Sequence, residues 1–308
     1  KEYDALTSAR TFANTLTQHL QEVSRDKHLR VRYSFESLPE FKSEEDSPSE
    51  HAFQRQVNFG FDRVERLRGN VGYIDLRGFM DAEAGSATVA AAMNFLANTD
   101  ALIFDLRQNG GGEPEMVALI SSYLFGQPTH LNDLYSRFDN RTQEFWTHAN
   151  VSGARYLNKE VYVLTSRYTF SAGEEFTYNL KNLKRATIVG EVTGGGAHPT
   201  RPHRIHDHFS IGVPFARAIN PITKTNWEGL GVHPEVAVPR EQAQHVAHIA
   251  ALKNILSNTA DTQRREQLQS ALASVQRELE EMKTPPAAAP STESTTDVVL
   301  PNTIAAQT

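Results

Sequence analysis

Between residues 71 and 190 the chain alternates short apolar runs with longer amphipathic ones, and this order limits the fold more than any other feature. Val71, Tyr73, Ile74 and Leu76 begin a strand. Residues 84–97, rich in alanine with Val89, Met93, Phe95 and Leu96, predict a helix. An apolar run over 101–106 predicts the next strand, and 113–124 a helix with Met116, Leu119, Ile120 and Tyr123 available for one face. A strand over 160–164, a helix over 172–184 and a strand over 187–190 follow. Strand-then-helix repetition needs crossover connections, so it points to α/β layering with parallel pairing. The strands expected at 208–219 and 236–238 have no long crossover helix between them. The sheet is therefore expected to be mixed, only partly parallel, with flanking helices.

The flanks are simpler. Leu6, Phe12, Leu16, Leu20 and Val23 recur near a helical period over 6–23, and Leu29, Val31, Tyr33 and Phe35 alternate as in a half-buried strand. Residues 37–50, rich in Pro, Ser and acids, read as a loop. Helices are expected at 241–256 and 261–283; the narrow stripe Leu268, Leu272, Val275, Leu279, Met282 suits a hairpin packed on the body or a self-association surface. The organisation expected is an N-terminal helix-and-strand segment over 1–69, a core over 70–240, C-terminal helices over 241–283 and a disordered tail over 284–308.

Composition narrows the function. At 39% hydrophobic and 22% charged residues the chain can bury a core. A net charge of -6 argues against nucleic acid as partner, since no surplus of positive charge is available for phosphates. Zero cysteines remove disulfides, thiolate catalysis and cysteine metal sites. No stretch resembles a signal peptide, and no run reaches the ~18 apolar residues that span a bilayer.

Two segments carry chemistry. Ser171 follows an apolar strand and precedes a helix, in Thr169-Phe170-Ser171-Ala172-Gly173-Glu174. A serine there sits at the positive end of the helix, with the Ala172 N–H available to an oxygen developing negative charge, as an acyl-transfer nucleophile requires. The same residue also fits an ordinary N-cap, with Glu174 completing a capping box. The second segment, residues 105–112, ends a strand in Gly110-Gly111-Gly112. Glycines let amides crowd toward a ligand, so Gly111 or Gly112 is a candidate second oxyanion donor. The Lys-Ser/Thr pair of a phosphate loop is absent after them.

The order of motifs then becomes specific. Asp-Leu-Arg-x-Asn-x-Gly-Gly from Asp105, Ser-Ala-Gly-Glu from Ser171, Gly-Glu-x-Thr-x-Gly-Gly from Gly190 and Glu-Gly-x-Gly-Val-x-Pro from Glu228 resemble the tail-specific, or C-terminal processing, serine protease family. That family includes the tricorn core and the repeats of interphotoreceptor retinoid-binding protein, and the Gly190–Pro199 run is most similar to the latter branch.

The resemblance covers roughly residues 5–240 and implies a ClpP/crotonase-like core and a serine-type endopeptidase acting on a peptide or unfolded protein without a cofactor. It implies Ser171 as nucleophile and Ala172 with the Gly111-Gly112 turn as oxyanion amides. The processing branch has a lysine base where this chain has Gly196, whereas the tricorn-like branch uses an early histidine and a late glutamate, which match His28 and Glu228. Lys27 stands at that branch's helper serine, and His198 is a second candidate base. Tyr168, Phe170, Gly194, Gly195 and Gly196 are expected to bind substrate, with the peptide extended near 166–170. The span from Phe35 to Gly69 is too short for a PDZ domain. The relatives imply a periplasmic or secreted location. The retinoid-binding branch implies an alternative, non-catalytic binding of an apolar small ligand or a peptide.

His198, His203, His206 and His208, with Asp207 and Arg201, suit a polar rim better than a metal site, so none is assigned. Among Tyr73, Phe79, Tyr168, Phe170, Phe176 and Trp227, most are expected in the core.

Overall fold

The computed structural model describes residues 3–39 and 48–283. Its centre is a six-stranded sheet. The strands are β2 (Phe61–Leu67), β3 (Val71–Leu76), β4 (Ala101–Asp105), β7 (Glu160–Thr165), β8 (Thr187–Gly190) and β12 (Val236–Ala237), in the order β12-β8-β7-β4-β3-β2. All neighbours are parallel except β2, which runs antiparallel to β3. Every residue of β3 and β4 is buried. Strands covered on both faces need apolar side chains in both directions, hence continuous apolar runs.

The helices α3 (Ala82–Leu96), α4 (Pro114–Ser122) and α5 (Ala172–Asn182) cover one face, where Ile74, Leu102, Phe104, Val163 and Phe176 form the larger core cluster. The other face is covered by α6 (Ala243–Ser257) and α7 (Thr262–Lys283), around Tyr73, Ile103, Leu164, Leu252 and Leu268. Leu268 and Val275 of the α7 stripe are thus spent on the chain's own sheet, and His248 of α6 donates to Arg68 O at 2.8 Å.

Two three-stranded antiparallel sheets flank this core. One joins β1 (Arg30–Tyr33), β10 (Phe209–Pro214) and β9 (Thr200–His206); α1 (Ala9–Ser24) packs on β1, and Thr17 Oγ1 accepts the Val31 N–H at 2.9 Å. The other joins β11 (Ala216–Ile219), β5 (His130–Ser136) and β6 (Arg141–Trp146). The helix α2 (Pro48–Gln56) precedes β2.

Several expectations change here. The strand at 208–219 is two strands in different sheets, parting at Phe215. Strands β2, β5, β6 and β9 escape the apolar pattern. In β6 only Phe145 is buried, and β9 is solvent-facing along almost its whole length, so pairing rather than side-chain burial makes them strands. The expected loop at 37–50 already contains the start of α2; its residues 40–47, like the expected tail at 284–308, lie outside the described residues. The picture of one mixed sheet in a ClpP/crotonase-like core is also corrected. Strand–helix periodicity reports layering, not which antiparallel ribbons attach to the layers.

Candidate active site

The turn 166–171 carries the chain from β7 into α5, and it is stitched to the end of β4. Ser166 Oγ donates to Arg107 O at 2.6 Å, Thr169 Oγ1 to Leu106 O at 2.7 Å, and the Phe170 N–H to Asn109 O at 3.1 Å. Arg107 in turn grips Asp105 through its Nε at 2.9 Å, and the buried Asp105 accepts the Tyr73 hydroxyl at 2.6 Å. The Asp-Leu-Arg-x-Asn motif is therefore the frame of the turn. At its end Ser171 adopts φ 52° and ψ -120°. That conformation costs an L-residue on the order of 1–3 kcal/mol and resembles the strained serine of a nucleophile elbow.

Asn109, fully buried, aims the first glycine turn at this serine. Its Nδ2 donates to Leu76 O at 2.9 Å and its Oδ1 accepts the Gly111 N–H at 2.9 Å. Gly111 (φ 105°) passes so close that a Cβ there would stand 2.7 Å from Ser171 Cβ and 3.2 Å from Ala172 N. A Cβ on Gly112 (φ 138°) would fall 1.8 Å from Phe79 O. Glycine is required at both positions by space and by φ. The Gly111 N–H is already bonded to Asn109 Oδ1, which leaves Gly112 the better-placed candidate donor of the two. Among the described residues no backbone carbonyl takes the N–H of Gly112 or Ala172.

The second glycine turn, 194–196, behaves differently. Glu174, fully buried on the first turn of α5, accepts the N–H of Gly195 at 2.6 Å, of Gly196 at 2.8 Å and of Ser171 at 3.0 Å, and the Thr193 hydroxyl at 2.5 Å. Burial pushes its carboxyl up to about 7, against the pull of these donors. A Cβ on Gly196 would lie 2.2 Å from Phe170 Cζ and 2.7 Å from His28 Cε1. The position where a lysine base would sit is filled by the Phe170 and His28 rings, whose centroids are 4.8 Å apart.

His28 lines the same groove as Ser171. Its side chain is 10% exposed, and burial, the nearby His198 and Arg30 push it down to about 4, with Asp26 opposing. Asp26 Oδ1 accepts the His28 N–H at 2.8 Å and lies 3.7 Å from His28 Nδ1. Lys27 Nζ donates to Gly194 O at 2.5 Å, tying this loop to the second glycine turn. Glu228 meets the other histidine: its Oε2 accepts the Ala197 N–H at 2.6 Å and stands 3.6 Å from His198 Nδ1. His198 Nδ1 is 3.2 Å from Asp26 Oδ2. The carboxylate beside His28 is thus Asp26, and Glu228 belongs to His198. The remaining histidines disperse: His203 and His206 lie on exposed β9, and His208 Nδ1 donates to Ser34 O at 3.2 Å.

The groove itself has a volume of about 1280 Å³. Its walls include Glu115, Leu134, Arg141, Phe145, Arg201 and Phe215, from α4, the β5–β6 ribbon and β9 with the β10–β11 junction. Tyr168, Phe170 and Gly194–Gly196 do not wall it. Tyr168 is half exposed beneath Arg240, whose guanidinium carbon is 5.1 Å from the ring centroid. Tyr73, Phe79, Phe176 and Trp227 are buried. Glu174, expected from the sequence to complete a capping box with Ser171, does so by accepting the Ser171 N–H and also holds the second glycine turn. Asp26 and Asn109 had no role assigned from the sequence; Asn109 stands inside a matched motif, which was the available signal, and Asp26 had none beyond its nearness to His28.

The family model for peptidase family S41 matches residues 70–238, more than half of the chain. The chain belongs to peptidase family S41. It is 28% identical over 173 residues to the Carboxyl-terminal-processing peptidase 2, chloroplastic, of Arabidopsis thaliana, covering 55% of this chain and 32% of that protein. It is 32% identical over 98 residues to the Tail-specific protease of Haemophilus influenzae, covering 31% and 13%. The chain therefore spans a third or less of these curated relatives. A solved structure described as an S41 protease from Bacteroides fragilis is similar at TM-score 0.53 and 20% identity, covering 71% of this chain and 58% of that one. At that identity the likeness is one of fold. The architecture is that of the S41 peptidases, which replaces the ClpP/crotonase-like expectation.

Proposed function

We propose that this S41 chain is a serine-type peptidase that cleaves peptide bonds through an acyl-enzyme. Ser171 Oγ attacks the scissile carbonyl and gives its proton to His28, kept neutral by its burial. His28 then delivers that proton to the leaving amine, and water releases the acyl group by the same route. Asp26 orients His28. The N–H groups of Ala172 and Gly112 receive the negative oxygen. The reading is carried by one observation: a strained serine at a helix N-terminus, in van der Waals contact with a glycine turn, shares a groove with a buried histidine.

The substrate in this reading is a peptide or unfolded protein lying between the β5–β6 ribbon and β9. The groove's Arg137, Asp139, Arg141 and Arg201 disfavour an apolar small ligand as its main occupant. A location outside the cytoplasm belongs to the same proposal and rests on the family resemblance. Among the described residues no helix is long and apolar enough to cross a membrane.

A fluorophosphonate probe tests the chemistry. Wild-type protein is expected to label at Ser171, Ser171→Ala not at all, and His28→Ala more slowly by about 100-fold or more. Undiminished labelling of Ser171→Ala, or an unreactive but folded wild type, would sink the reading.

A further inference from the structure

Beside the proposed catalytic groups, three side chains from distant parts of the chain converge. Asp26 comes from the loop before β1, His198 from the segment before β9, and Glu228 from the turn after β11. One ligand atom of each lies within 4.8 Å of the other two. His198 Nδ1 stands 3.2 Å from Asp26 Oδ2 and 3.6 Å from Glu228 Oε2. Two ligands of a tetrahedral zinc ion are ~3.3 Å apart, given metal–ligand bonds of about 2.0–2.2 Å.

A second feature concerns the Glu228 carboxylate itself: its Oε1, beside the Oε2 that faces His198, is buried with no partner among the described residues. Two carboxylates drawn to one imidazole repel each other, and a divalent cation relieves that repulsion more fully than a shared proton.

We propose that Asp26, His198 and Glu228 form a binding site for a zinc-like divalent cation, with Asp26 Oδ2, His198 Nδ1 and Glu228 Oε2 as ligands. The donor set, one imidazole nitrogen and two carboxylate oxygens, suits zinc, and the partial exposure of His198 (26%) leaves a side for a water ligand. The ion clamps three segments, two of which also pack together through Ala197 and Trp227. It also anchors the far oxygen of the carboxylate whose near oxygen holds the His28 N–H. This claim of binding does not depend on the peptidase reading.

The test is calorimetric titration of Zn²⁺ into the full chain, repeated with Co²⁺ and followed by visible absorption. One ion per chain is expected, with the strong bands of a four-coordinate Co²⁺ site. Affinity is expected to fall about 10-fold or more in His198→Ala and in Glu228→Gln, and to stay unchanged in His206→Ala, an exposed histidine outside the trio. Zn²⁺ should raise the Tm of the wild type but not of His198→Ala. The proposal is overturned by an absence of saturable binding, by equal losses in His206→Ala, or by full affinity in folded His198→Ala. Should His198→Ala fail to fold, weak six-coordinate Co²⁺ bands in the wild type overturn it alone.

Discussion

The two triple-glycine turns that flank Ser171 are nearly identical in composition and opposite in state. The 110–112 turn lies against the serine with the Gly112 N–H untaken by any backbone carbonyl among the described residues. In the 194–196 turn the N–H groups of Gly195 and Gly196 end on Glu174, and Phe170 closes over the surface. Glycine content therefore does not identify an anion site. What separates the turns is whether a buried carboxylate has already claimed the amides. Asn109 does a little of this at the first turn, taking the Gly111 N–H while leaving its neighbour's.

Substitutions can break or sharpen this contrast. The largest effect is expected from Gly112→Ala, where a Cβ would meet Phe79 O at 1.8 Å and displace the open amide. The rate of fluorophosphonate labelling should fall about 100-fold or more, in the range of a lost oxyanion donor. Unchanged labelling would remove the 110–112 turn from the site. Next comes Glu174→Gln. Its amide nitrogen would face two of the four donors now bound by the carboxylate, so urea unfolding should report a loss of about 2–3 kcal/mol. A loss below ~0.5 kcal/mol would mean that the second turn is not held closed by this residue.

The neighbouring Glu175 sharpens the comparison from the other side. It is buried one residue along α5, its Oε1 has no partner among the described residues, and burial together with the nearby Glu115 pushes it from 4.5 up to about 8, with Asn132 opposing. Between those values the folded protein holds a proton that the unfolded chain has lost. Stability from this group is therefore complete below about pH 4.5 and declines as pH rises toward 8. Replacing it, Glu175→Gln should raise Tm at pH 8 by about 5 °C and change it little at pH 4.5, as read by scanning calorimetry. An equal shift at both pH values would contradict a buried, protonated glutamate. The smallest effect belongs to Gly110→Ala. That glycine is exposed, with nothing within 4 Å of an added Cβ, so stability should stay within ~0.5 kcal/mol and labelling should be unaltered.

How much of this was legible beforehand varies with the kind of interaction. The strands β3, β4, β7 and β8 and their helices announce themselves because burial on both faces demands long apolar runs. The β5–β6 ribbon, which walls the groove, stayed hidden because β5 and β6 meet each other through backbone hydrogen bonds, while β6 exposes most of its side chains and β5 half-buries most of its own without an apolar run. Ser171 was legible from its place between an apolar strand and a helix. Asp26 was not, since its value lies in two histidines, one of them 172 residues away. The assignment of Glu228 to His198 rather than His28 was equally out of reach, as each carboxylate could have served either ring.

The amino-acid sequence by itself determined the layered core, the family motifs and the position of the serine at a helix start, because those follow from periodic burial and local backbone geometry. Only the tertiary structure decided which carboxylate meets which histidine, which glycine amide remains open, and which strands wall the groove. Hydrogen bonding and van der Waals exclusion act over a few ångströms, and those distances exist only once remote segments have been packed together.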